Sequence, residues 1–162
     1  MQKREVFTVD EAIKKLEYYC AYQERCHQEV VHKLRQMNMI PLVIEEVIGH
    51  LIEHNYLNET RFAQAYTRGK FTQKKWGRNR ILRELKMRDI SPFNIKIALR
   101  EIEEEDYLIT LEELTEKFWN THAHREKAIH NKKVVDALLY RGWESHLIYD
   151  AIQKLKSKSD TE

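Results

Sequence analysis

A chain of 162 residues with 42% hydrophobic content is long enough to bury a core, and its 33% charged content lies above the usual value of about 25%. Four Gly and two Pro favour long helices with short turns, and the absence of a run of about 18 apolar residues excludes a helical membrane span. The net charge of +2 hides an asymmetry: residues 61–90 carry ten Lys/Arg against Glu84 and Asp89, and residues 100–116 carry Arg100 against eight acids. The first residues lack the apolar stretch of a secretory signal, so a cytoplasmic protein with Cys20 and Cys26 as free thiols is expected.

Thr8-x-x-Glu11 is a capping box that opens a first helix, with Ala12, Ile13, Leu16, Tyr19 and Cys20 at helical spacing. Tyr18, Tyr19 and Tyr22 in the same helix are assigned to packing. A second helix covers about 27–37, with Val30, Val31 and Leu34 inward, and Asn38-Met39 makes a turn. Pro41 suits the first turn of a third helix, whose stripe is Val43, Ile44, Val47, Ile48, Leu51 and Ile52. Asn58 caps a fourth helix containing Phe62, Ala63, Ala65 and Tyr66. Residues 70–76 either extend it or form a basic loop. Gly77 opens the next helix, with Ile81, Leu82 and Leu85 inward. Ser91-Pro92 starts a sixth, carrying Ile95, Ala98, Leu99 and Ile102. Thr110-x-x-Glu113 reads as another capping box, followed by Leu111, Leu114, Phe118 and Trp119. After a connection at 122–129, Val134, Val135, Leu138 and Leu139 form a core face, which Gly142 closes in the left-handed conformation. Leu147, Ile148, Ala151, Ile152 and Leu155 belong to the ninth helix, and residues 157–162 form a polar tail.

Residues 31–48, 82–99 and 135–152 superimpose in pattern. Leu34, Leu85 and Leu138 align, as do Met39, Ile90 and Trp143, then Ile44, Ile95 and Ile148. Offsets of 51 and 53 residues define an all-α protein of three tandem three-helix repeats, at 1–57, 58–109 and 110–156. One such unit cannot bury its apolar face alone, so the units must stack.

No catalytic constellation is present. His50 and His54 share a helix face without the Glu or Cys that a zinc motif needs, and His122 and His124 flank Ala123 in a connection; all are read as surface histidines. No phosphate-binding loop, metal site or cofactor site is identified. The richest segment is 68–88, and Arg68, Lys70, Lys74, Lys75, Arg78, Arg80, Arg83, Lys86 and Arg88 are the candidate contacts to an anionic partner. Arg78 and Arg80 sit in the first turn of a helix, where the macrodipole disfavours cations. A bound phosphate or carboxylate, held by side chains and backbone N–H groups, would account for them. Phe71 and Trp76, set among the cations, could stack on a base. The plainer reading is a solvated basic helix with Trp76 in the core. The acids of 101–106 read as a solvated face, with a docking surface or an internal counter-surface for the basic segment as alternatives.

Three stretches resemble the RecX family of regulators of the RecA recombinase. Asn55-Tyr56-Leu57-Asn58-Glu59-Thr60-Arg61-Phe62-Ala63 resembles the signature that joins its first and second repeats. Gly77-Arg78-Asn79-Arg80-Ile81-Leu82-Arg83-Glu84-Leu85-Lys86, followed by Ile90, resembles its second signature, and Arg25-Cys26-His27-Gln28-Glu29-Val30-Val31-His32-Lys33-Leu34 its opening motif. Cys26 stands where the family often has Ser, which removes a good N-cap. The resemblance implies an elongated, curved array of the three repeats and a monomeric, non-enzymatic protein. It implies binding to the RecA–DNA filament with modulation, usually inhibition, of ATPase and strand exchange. Whether the basic segment meets DNA phosphates or recombinase carboxylates stays open. The alternative is a helix-turn-helix-like module that binds single-stranded or duplex DNA without a recombinase.

Overall fold

The computed structural model describes residues 6–161 and contains nine α-helices and no strand among them. They are α1 (Val9–Tyr22), α2 (His27–Gln36), α3 (Pro41–Glu53), α4 (Glu59–Lys74), α5 (Arg78–Met87), α6 (Pro92–Leu99), α7 (Glu104–Thr121), α8 (Lys127–Tyr140) and α9 (Ser145–Ser159). Their ends follow local chemistry. Thr8 Oγ1 accepts from the Glu11 backbone N–H at 3.1 Å and donates to Glu11 Oε1 at 3.0 Å. Asn58 Oδ1 caps α4 through Arg61 N–H, and Ser91 Oγ caps α6 through Asn94 N–H. Cys26 caps no backbone group; its thiol instead donates to Glu29 Oε1 at 3.4 Å.

The repeat is written into the backbone. Asn38, Asp89 and Gly142 occupy equivalent positions and all have positive φ, at 60°, 56° and 90°. Each is followed by the same closure: Met39, Ile90 and Trp143 donate their N–H to Leu34, Leu85 and Leu138 at 3.1 Å. These are three Schellman caps, in which the left-handed residue lets the chain turn back and satisfy orphan carbonyls.

The chain divides into two compact units, Met1–Ala65 with Leu85–Ala98 and Tyr66–Glu84 with Leu99–Glu162. In the first, α1, α2 and α3 pack around Ala12, Leu16, Cys20, Val30, Leu34, Ile44, Val47 and Leu51. Arg61 ties down the turn after α3, donating to Asn55 Oδ1 and to the carbonyls of Asn55 and Tyr56 while pairing with Glu24. In the second unit, α7, α8 and α9 pack on one another, with Tyr107, Leu111, Val134, Leu138, Trp143 and Ile148 buried.

Some expectations are overturned. α7 starts at Glu104, so Thr110 lies inside the helix and caps nothing. Glu104, Glu105 and Asp106 fill the first turn, where the macrodipole stabilises anions. Tyr18 and Tyr22 do not pack: they are 74% and 73% exposed. The apolar stripe of α1 runs through Ala12, Leu16 and Cys20, and both tyrosines fall on the opposite side. Ile52 and Leu139 also lie on the solvent edge of their stripes. Of the two readings left open for residues 70–76, the extension of α4 holds as far as Lys74.

Burial pushes the Cys20 and Cys26 thiols up to about 11, which leaves them protonated at neutral pH. Because the folded value lies above the unfolded one, the associated stability is intact below the ordinary thiol range and is lost as pH rises toward 11. Alkylation by iodoacetamide at pH 8, followed by mass spectrometry, should be about 100-fold slower in the folded protein than in urea. Equal rates would place the thiols at the surface.

Candidate functional site

The second unit sorts the cations of the basic segment into paired and unpaired ones. α5 begins where its N-terminus meets the turn between α8 and α9. Gly77 N–H donates to Arg141 O at 2.8 Å, Asn79 N–H to Gly142 O at 3.0 Å, and Arg78 N–H to the Tyr107 hydroxyl at 2.9 Å. The approach requires glycine on both sides. A Cβ on Gly77 would lie 2.5 Å from the Gly142 carbonyl oxygen, and one on Gly142 would lie 2.3 Å from Arg80 Cβ.

This geometry corrects one reading of the sequence. The amides of Gly77, Arg78 and Asn79 are already bonded within the protein and cannot converge on a phosphate or carboxylate. The Arg78 side chain is likewise satisfied. Its guanidinium lies 3.9 Å from the Tyr107 ring centre and pairs with Glu104 and Glu144. Burial alone would lower the pKa of Arg78, but the Glu104 hydrogen bond, with Tyr107 and Glu144, raises it. Tyr107, completely buried, donates its hydroxyl to Glu144 and stacks on Trp143 with ring centres 4.4 Å apart. Burial first, then the Glu144 hydrogen bond and charge, push its phenol up and keep it protonated as a donor, against the opposing pull of Arg78. The cation in the first turn of α5 is therefore explained from inside the fold.

Arg68 pairs with Glu101 at 3.2 Å. With the Arg78–Glu104 pair, it makes part of the acidic run an internal counter-surface to the basic one. Lys70 is half-buried, its Nζ lying 5.4 Å from the Tyr66 ring centre and 5.0 Å from that of Trp76. Arg80 is half-buried. Its guanidinium lies 4.1 Å from the Trp76 ring centre and 4.9 Å from that of Tyr140, and it donates to Tyr140 O at 3.3 Å. Phe71 is buried against Tyr107, which removes it as a base-stacking surface. Trp76 is half-buried beneath its two cations.

Lys74, Lys75 and Arg83 remain. All three are exposed, and none has a carboxylate partner among the described residues. With Arg80 on its aromatic support, they are cations of the basic segment in this unit that no carboxylate among the described residues neutralises. Lys86 and Arg88 belong to the first unit. Lys86 is exposed in the last turn of α5, and Arg88 is half-buried and engaged by its surroundings.

The histidine pairs are placed elsewhere. His50 and His54 stack with ring centres 4.1 Å apart, and His50 Nε2 faces Glu17 at 3.4 Å. His122 caps the end of α7, where burial and the neighbouring Arg125 lower its pKa. Sequence reasoning missed Tyr107, Tyr140 and Glu144, which organise the site. Tyr107 carried a faint signal as a single aromatic inside an acidic run; Tyr140 and Glu144 carried none, because their roles depend on a contact more than 35 residues away in the chain.

The profile of the RecX family's second three-helix domain matches residues 58–99. Regulatory protein RecX of Bacillus cereus is 26% identical over 147 residues, covering 89% of this chain and 53% of that protein. The protein of the same name in Bacillus cytotoxicus is 27% identical over 142 residues, covering 88% and 53%. The crystal structure of RecX from Lactobacillus salivarius superimposes with a TM-score of 0.79 at 25% identity, covering 91% of this chain and 96% of that one. The chain is similar to RecX proteins over about nine-tenths of its length. A second crystal structure of regulatory protein RecX has a TM-score of 0.81 at 19% identity, over 90% of this chain and 73% of that one, a likeness of fold alone. The chain spans about half the length of the curated RecX relatives it matches. All nine candidate cations, from Arg68 to Arg88, fall within the segment matched by the RecX profile. No helix among the described residues is long and apolar enough to cross a membrane.

Proposed function

We propose that this chain is a cytoplasmic, non-enzymatic regulator that binds the RecA–DNA filament and inhibits recombinase ATPase and strand exchange. The observation that carries the reading is the set of exposed, unpaired cations Lys74, Lys75 and Arg83, lying inside the segment matched by the RecX family. A filament of protein and DNA offers phosphates and carboxylates, and either would complement this surface. Similarity to regulatory proteins, with no catalytic constellation in the sequence, favours regulation by binding.

Added to RecA on single-stranded DNA, the protein should lower DNA-dependent ATP hydrolysis at micromolar or lower concentration. Reversing Lys74, Lys75 and Arg83 to Glu should weaken that effect at least about tenfold while changing stability by less than about 1 kcal/mol, because the side chains are solvated. Arg78→Ala should act differently, costing about 2 kcal/mol of stability through its lost charged hydrogen bonds. No change in ATPase or filament length with the cognate recombinase would refute the proposal. Tight, sequence-specific binding to duplex DNA alone would favour the helix-turn-helix alternative.

A further inference from the structure

The outer face of α1 carries an aromatic and cationic arrangement that the core does not use. Helical spacing puts Lys14, Lys15, Tyr18 and Tyr22 on one side, opposite Ala12, Leu16 and Cys20. All four are exposed, the tyrosines by 74% and 73%. Neither lysine has a carboxylate partner among the described residues. Of the three acids of the helix, Glu11 is turned to the Thr8 hydroxyl, Glu17 faces His50, and Asp10 makes no ion pair with Lys14 among the described residues; the Lys15 ammonium lies 4.6 Å from the Phe7 ring centre.

The two tyrosine rings lie with centres 6.5 Å apart and planes inclined by 30°. That separation is near the outer limit at which aromatic pairs attract each other, so their mutual contact holds them only weakly. It is also close to two stacking steps of about 3.4 Å, the spacing that one planar base between two rings would need. Lysines one turn away on the same face are within reach of the phosphates flanking such a base. The i,i+4 spacing of α1 itself sets the two rings about this far apart, so the helix presents the gap ready-made, and a base with its phosphates would use both the rings and the lysines.

We propose that Tyr18 and Tyr22, with Lys14 and Lys15, form a base-stacking site for single-stranded nucleic acid. The site belongs to the first unit, and its test needs no recombinase, so it stands or falls separately from the filament-binding proposal. Binding of labelled oligothymidylate is measured by fluorescence anisotropy for the full chain. The double variant Tyr18→Ala/Tyr22→Ala should bind about tenfold or more weakly, since each stacked base contributes substantially to affinity. Tyr18→Phe/Tyr22→Phe should bind like the parent, because the ring and not the hydroxyl is required. An abasic strand of the same length should bind the parent as weakly as oligothymidylate binds the double Ala variant. Lys14→Ala/Lys15→Ala should flatten the salt dependence by about 1.4 in log–log slope, the value for two phosphate contacts on a single strand. Thermal melting should be unchanged in every variant, since these side chains are solvated.

Three outcomes overturn the site. One is equal binding of normal and abasic strands by the parent. Another is unchanged oligothymidylate affinity in the double Ala variant, and if that variant has meanwhile lost its effect on RecA, the face is a protein-docking surface. The last is no binding of oligothymidylate by the parent even at low salt.

Discussion

Gly77→Ala is expected to destabilise the protein by about 3–5 kcal/mol and to lower its melting temperature by roughly 10 °C. The added methyl would sit 2.5 Å from the Gly142 carbonyl oxygen and 2.6 Å from the Trp143 amide nitrogen. Both are backbone atoms, so no side chain can rotate aside. Relief requires drawing the start of α5 away from the α8–α9 turn. That would lengthen the bonds from Gly77 N–H to Arg141 O and from Asn79 N–H to Gly142 O. Gly49→Ala and Gly69→Ala should move in the opposite direction by about 1 kcal/mol each. Both lie inside helices, with nothing within 4 Å of the position a Cβ would take. Thermal unfolding followed by circular dichroism separates these signs. A Gly77→Ala protein that melts with the parent would show that the helix start does not dock on that turn.

Trp143→Ala should cost about 3–5 kcal/mol. The indole is 1% exposed, lies against the Tyr107 ring, and donates Nε1–H to Lys75 O at 3.1 Å. Truncation leaves a cavity and an orphaned carbonyl together. Trp143→Phe retains most of the volume and loses the hydrogen bond, so it should cost less, about 1–2 kcal/mol. The carbonyl in question belongs to Lys75, whose φ of 57° places it in the left-handed region just after α4. The indole therefore holds the backbone that presents Lys74 and Lys75. Denaturant unfolding of the three proteins should rank parent, Phe, Ala in falling midpoint. Coincident midpoints for parent and Ala would mean that the indole is not buried in the core.

Both substitutions act on contacts that span the second unit, and they mark where sequence reading ran out. The helices were legible because their signals are local. Thr8, Asn58, Ser91 and Pro92 act within one turn of themselves, and the aligned Leu34, Leu85 and Leu138 report a burial pattern that repeats. Thr110 misled for the same reason. A capping box is a local signal, and nothing near Thr110 reveals that the run of acids from Glu104 has already started the helix. Tyr18 and Tyr22 misled by composition, since aromatics at helical spacing usually pack; the narrow stripe of Ala12, Leu16 and Cys20 left them outside.

The candidate site divides along the same line. In sequence, Arg78 and Arg83 are two cations of one helix with equal claim to an anionic partner. In the structure, Arg78 is held by Glu104, Glu144 and Tyr107, whereas Arg83 is exposed. By itself the sequence determined the all-helical class, the three-fold repeat with Gly142 as a left-handed helix end, and the concentration of positive charge at 68–88. These depend on spacing and local propensity, which a linear chain carries in full. Only the tertiary structure decided which of those charges are neutralised from within and which are left for a partner, because an ion pair forms between groups that folding brings together, and their distance in space is not written in their distance along the chain.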